Sequence, residues 1–208
     1  MSTILTLHDP RAARRYYEAG VWRDETLYGL VERHARERPD AYSVRDSRHR
    51  ITWRHLRAWV DALAAELHAA GLRRGQRVSV WLPNRIENVV VFLACSRNGY
   101  VCNPSLHQNY TTAEVVQLME RIRSATLFAQ PGYGSDACEE DVFAAAHAIA
   151  SMRRVWWLAD GAAEATEIPD AARFPRWTIE PPHGSLPPVD ANPDKIVYLA
   201  FTSGTTGQ

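Results

Sequence analysis

The chain has 208 residues, and its 24 basic and 24 acidic side chains cancel, so it lacks the electrostatic footprint of a nucleic-acid or anionic-membrane binder. Hydrophobic residues make up 46% of it, enough for a sizeable core in one large domain or two small ones. Residues 1–10 do not read as a signal peptide, and the longest apolar run, residues 89–95, is too short to span a bilayer. A soluble, cytoplasmic protein acting on a small molecule is expected. Cys95, Cys102 and Cys138 are odd in number and without close pairing, which predicts ordinary buried thiols rather than a disulfide framework or a zinc site.

Residues 27–38 read as a helix stopped by Pro39. Two extended stretches, 42–45 and 50–52, flank a polar turn and predict a hairpin. Thr52 then suits the N-cap of a helix carrying Leu56, Val60, Leu63 and Leu67 on one face, with Gly71 as its left-handed stop. Val78, Val80 and Leu82 alternate in a short strand ending at Pro83. A helix over 86–98 closed by Gly99, and a buried strand over 100–102, come next. Thr111 and Glu114 have the spacing of a capping box, and Val115, Leu118, Met119 and Ile122 form the apolar face of the helix they open.

A strand over 125–129, a helix over about 142–152 and a strand over 155–158 complete an alternation of strands and helices. That order predicts an α/β fold with a doubly wound, mainly parallel sheet and flanking helices. Residues 159–193 turn to alanine, proline and acidic side chains, with Pro181-Pro182 and Pro187-Pro188 excluding regular helix or central strand, and read as a surface connection. Lys195, the only lysine, opens a last apolar run to Phe201 that looks like another buried strand.

Directly behind that strand stand Thr202, Ser203, Gly204, Thr205, Thr206 and Gly207. Glycines let a backbone approach closely and adopt positive φ, so successive N–H groups can converge on anionic oxygens, and neutral hydroxyls add donors without repulsion. These six residues are therefore the candidate phosphate-binding site. A flexible Ser/Thr/Gly tail is the competing reading, and the position behind an apolar strand favours the loop. The Gly-Lys-Ser/Thr ending of a Walker A loop is missing.

The run from Tyr198 through Gly207 closely resembles the signature loop of the adenylate-forming, AMP-binding superfamily of acyl-CoA synthetases, amino-acid adenylation domains and beetle luciferases. Ile51-Thr52-Trp53 before a long helix, residues 71–75, residues 78–84 and Asn103-Pro104 are similar to that family in the same order, so the resemblance covers roughly residues 25–208. It implies that residues 1–208 are the N-terminal part of an AMP-binding large domain. Within it, residues 25–158 form the sheet region, 159–193 the connection and 194–208 the last strand with the phosphate loop. The rest of the large domain, and a C-terminal domain whose lysine contacts the reacting carboxylate, are expected beyond Gln208.

The resemblance further implies ATP-dependent activation of a carboxylic acid to an acyl-adenylate, then thioester formation with CoA, with ATP, Mg²⁺ and CoA as cofactors. The 208 residues alone are expected to be inactive, with no catalytic residue and no metal ligand of their own. Amino-acid adenylation for a carrier protein, or a non-catalytic binding module, are the alternatives.

Other polar residues read more simply. Asp136, Glu139, Glu140 and Asp141 lie where a helix begins and are expected to complement its N–H groups rather than bind a cation. Trp156 and Trp157 are expected in the core, as is Cys95. Arg85 and His107 follow strands, where ligands approach α/β sheets, but they lack partner residues and read as loop positions.

Overall fold

The computed structural model describes residues 9–159, 168–175 and 185–201. Part of the expected connection and all of the candidate loop, Thr202 to Gly207, lie outside the described residues.

Asp9 accepts from the Arg11 N–H, and Pro10, which has no N–H to leave unsatisfied, begins α1 (Pro10–Glu18). This helix was not among the sequence expectations. Thr26 caps α2 (Leu27–Glu37), and an antiparallel hairpin of β1 (Tyr42–Arg45) and β2 (Arg50–Thr52) follows. The Thr52 hydroxyl accepts from His55 N–H at the start of α3 (Trp53–Ala69), as its sequence position predicts. Leu56, Val60, Leu63 and Leu67 are all buried on that helix.

The main sheet alternates strands with helices: β3 (Arg77–Trp81), α4 (Ile86–Asn98), β4 (Val101–Asn103), α5 (Thr112–Ile122), β5 (Ser124–Ala129), α6 (Val142–His147), β6 (Arg154–Trp157) and β7 (Ala172–Arg173). Its five strands lie in the order β4-β3-β5-β6-β7, and every pair is parallel. Alternate side chains point to opposite faces, as the pleat requires. Val78, Val80, Phe128 and Trp156 pack with α2, α3 and α4, whereas Trp81, Leu127, Ala129, Val155 and Trp157 pack with α5 and α6. The doubly wound architecture is thus present, with a covered core on each face. Both tryptophans are core residues: Trp156 stacks on Phe128 at 5.7 Å, and neither indole is more than 3% exposed.

Helix ends follow the expected chemistry where the partner is local. Thr111 and Glu114 form the full capping box on α5, and Gly99 closes α4 at φ 73°. Two of the acidic residues cap helices from different places. Asp141 accepts from Phe143 and Ala144 at the start of α6, while Asp136 reaches back to Thr112 N–H at 2.9 Å on α5.

Three expectations change. The helix over 142–152 ends at His147, because Ala148, Ile149 and Met152 tighten into three-residue hydrogen-bonded turns that bury Ile149 and let the Ser151 hydroxyl reach Ser124 O. Cys138, expected as a buried thiol, is exposed, while within 159–193 the short β7 adds an edge strand beside β6. The last apolar run is an edge segment rather than a buried strand. Among the described residues it meets β4 through one parallel bridge, Cys102 to Tyr198, and Tyr198 is 51% exposed.

Candidate functional site

In a parallel sheet all strands end at the same edge, and the turns beyond that edge are where ligands meet the fold. Here the carboxyl edge carries the turns after β3, β4, β5 and β6. The order β4-β3-β5 places consecutive crossovers on opposite sides of β3, so the turns after β3 and β5 flank the switch point.

Arg85 occupies that switch point and is already committed. Its Nε and Nη2 form a bidentate pair with Glu87 at 2.8 and 2.6 Å, and Nη1 donates to Gln130 Oε1 at 2.9 Å and Ala159 O at 3.2 Å. It therefore ties the ends of β3, β5 and β6 together rather than presenting a free cation. The first turn of α4 has no cap from Arg85. Asp46, in the distant hairpin, supplies it by accepting from Ile86 N–H at 3.2 Å. Burial pushes the Asp46 carboxyl up, but N–H donors from His49, Arg48 and Ile86 outweigh that and hold it below its usual range.

His107 lies exposed in the turn after β4, where its carbonyl accepts from Trp81 Nε1 at 2.9 Å and its ring meets Tyr110 edge-on. Trp81 also walls a small 190 Å³ hollow with Tyr133, Gln130 and Phe143. A larger cleft of 540 Å³ opens beyond β6, lined by Trp59, Trp157, Phe174, Arg173, His49 and Arg85. Cys95 and Cys102 are fully buried, and burial raises the Cys95 thiol well above its usual value, followed by its hydrogen bond to Cys102. A thiol so held is a packing group and not a nucleophile. Among the described residues no group of three His, Cys, Asp or Glu side chains is placed to hold a metal.

The candidate loop itself lies outside the described residues, but the chain leading to it is placed. Cys102 N donates to Val197 O, and Leu199 N donates to Cys102 O, both at 2.9 Å. The segment therefore runs parallel to β4 and reaches Phe201 at the carboxyl edge, beside the turn that begins at Pro104. Asn103, the last residue of β4, and Ser105 of that turn hold it there: Asn103 Nδ2 donates to Leu199 O at 2.7 Å, and Ser105 Oγ accepts from Phe201 N at 2.8 Å. Neither was singled out as a site residue from sequence, where Asn103-Pro104 was only part of a pattern.

Farther back, the same segment is pinned at the opposite edge. Arg97 Nη1 donates to Pro187 O at 3.0 Å, and Asp190 N donates to Arg97 O at 2.8 Å. Arg74 pairs with Asp190 at 2.7 Å, and Lys195, whose side chain is 7% exposed, donates to Asp190 O. Burial lowers the Lys195 ammonium below its usual range, although Asp190 opposes the shift.

A sequence model described as AMP-binding enzyme matches residues 31–208. The chain is 33% identical to 2-hydroxy-7-methoxy-5-methyl-1-naphthoate–CoA ligase of Streptomyces carzinostaticus over 141 residues, 68% of this chain and 24% of that protein. It is 25% identical to the medium-chain fatty-acid–CoA ligase of Escherichia coli (strain K12) over 208 residues, all of this chain and 36% of the relative. Among solved structures, apo MbtA of Mycobacterium smegmatis aligns with a TM-score of 0.72 and 27% identity, over 97% of this chain and 36% of that one. The chain thus spans roughly a quarter to a third of the length of these relatives. With the parallel sheet, the edge segment and the sequence match all agreeing over most of its length, the chain belongs to the AMP-binding enzyme family.

Proposed function

We propose that the complete protein activates a carboxylic acid with ATP and passes the acyl group to CoA. The observation that carries this reading is the delivery of residues 197–201 to the carboxyl edge beside β4, with Thr202, Ser203, Gly204, Thr205, Thr206 and Gly207 next in sequence. In the first displacement a carboxylate oxygen bonds to the α-phosphorus, the bond to the bridging oxygen breaks, and pyrophosphate leaves. In the second, the CoA thiolate bonds to the acyl carbon and AMP leaves with the electron pair.

The loop's part is to hold the β- and γ-phosphates with backbone N–H groups and hydroxyls, which orients the leaving group and spreads its charge. Mg²⁺, held by phosphate oxygens, adds charge neutralisation when bound. CoA as acceptor is supported by the two CoA-ligase relatives. In this reading residues 1–208 are the first part of the large domain, the residues that choose the acid lie beyond Gln208, and the setting is cytoplasmic, where ATP and CoA are found.

The test is exchange of labelled pyrophosphate into ATP by the complete protein, without CoA, across a panel of aromatic and aliphatic acids. Acid-dependent exchange, followed by AMP and thioester once CoA is added, is expected. Formation of ADP and an acyl phosphate, with no exchange for any acid the protein consumes, would overturn the reading.

A further inference from the structure

A parallel ladder repeats every second residue. On β4, Cys102 makes both of its backbone bonds to the last segment, so the next residue in line is Pro104. An unbroken ladder would have residue 104 donate to Leu199 O and accept from Phe201 N–H. Proline has no N–H, so the first of these bonds cannot form.

Both groups are satisfied by side chains instead. Asn103 Nδ2 donates to Leu199 O at 2.7 Å, and Ser105 Oγ accepts from Phe201 N at 2.8 Å. The two side chains are also joined, Asn103 Nδ2 donating to Ser105 Oγ at 3.0 Å. Leu199 O can only accept, which fixes the amide with its nitrogen toward the segment. Asn103 Oδ1 is left buried with no partner among the described residues. Apolar packing does not explain an amide held in the core, at 0% exposure, with an open acceptor; its two donated bonds do.

We propose that Asn103 and Ser105 are positioning residues for the phosphate-binding loop. Their side chains carry the ladder past Pro104, and so set where and in what direction the chain leaves Phe201. Ordinary edge pairing at Cys102 alone would leave the residues from Ala200 onward free to swing. The inference rests on the function proposed above, because the benefit of a fixed departure point lies in holding polyphosphate.

The experiment uses the complete protein and the variants S105A, S105T and N103L. In pyrophosphate exchange, S105A should raise KM for MgATP about three- to tenfold, the range expected for one lost hydrogen bond, with KM for the acid unchanged. S105T, which keeps the hydroxyl, should restore it. N103L removes two bonds and should act more strongly. Ser105 is partly exposed, so S105A should keep the wild-type melting temperature even where N103L does not.

In parallel, hydrogen–deuterium exchange of the peptide from Tyr198 to Gly207 should be faster in S105A, and magnesium pyrophosphate should protect it less than in wild type. An S105A protein with wild-type KM for MgATP and wild-type peptide exchange overturns the inference, as does an equal rise in KM for both substrates. If wild type shows no acid-dependent exchange, the proposed function falls, and the peptide-exchange comparison still decides the role of Ser105.

Discussion

Asp61 is a carboxylate at 8% exposure, and three side chains from three helices converge on it. Tyr28 of α2 donates at 2.5 Å, Arg97 of α4 donates from Nε at 2.9 Å, and Arg57 of α3 stands at 3.6 Å. Arg97 is 6% exposed and also donates from Nη1 to Asn98 Oδ1 and Pro187 O. Removing one partner of such a pair leaves a buried charge without compensation. Asp61→Asn should therefore cost about 3–5 kcal/mol of unfolding free energy in urea titration. Tyr28→Phe, which deletes one hydrogen bond to a charged group, should cost about 1.5–3 kcal/mol.

The same tyrosine makes a pH prediction. Burial first, and then the hydrogen bond to Asp61, raise its hydroxyl above the ordinary value of 10.0. The folded state thus holds the proton more tightly than the unfolded state. This contribution is complete below the ordinary value and is lost as pH rises above it. Tyr28→Phe should flatten the alkaline limb of the stability profile; an unchanged limb would show that the hydroxyl is not linked to folding.

At the scale of elements, the helix ends show what kind of information is local. The capping box at Thr111 and Glu114 joins residues three apart, so its spacing is visible in sequence. Asp46 caps α4 from 40 residues away, and no spacing rule reaches that far. Gly99 combines both kinds. Its left-handed φ as the C-cap of α4 is legible from its place after the helix, but its second constraint is tertiary. A Cβ there would overlap the Asp190 carboxylate and sit 3.0 Å from Arg74 Cγ.

Gly75 has a similar φ of 79° but open space around it. Gly75→Ala should cost about 1–2 kcal/mol, the penalty of a left-handed alanine alone. Gly99→Ala should cost measurably more, because Asp190 must also leave Arg74. Equal midpoints in urea for the two variants would show that Asp190 moves aside freely. The shortening of α6 has the same character: its alanines would allow more turns, and the contacts that end it belong to β5.

For the whole molecule, the edge of the sheet matters most. β4 has β3 on one side and a single-bridge segment on the other, with Tyr198 half exposed on it. Residues 1–208 alone should therefore unfold with a weak, poorly cooperative transition, and show no acid-dependent pyrophosphate exchange. A steep two-state transition, or turnover by these residues, would mean that the sheet and loop are self-sufficient.

Sequence by itself determined the alternation of strands and helices, the core faces of α3 and α5, and the local caps. Each rests on periodicity or on contacts within a few residues, which neighbouring positions encode directly. Tertiary structure decided the rest. It set strand order, tied up Arg85 with Glu87, Gln130 and Ala159, and left the last apolar run half exposed at an edge. It also showed that Asn103 and Ser105 stand in for the ladder that Pro104 interrupts. Those contacts join residues up to 96 positions apart, and chain folding rather than spacing brings them together.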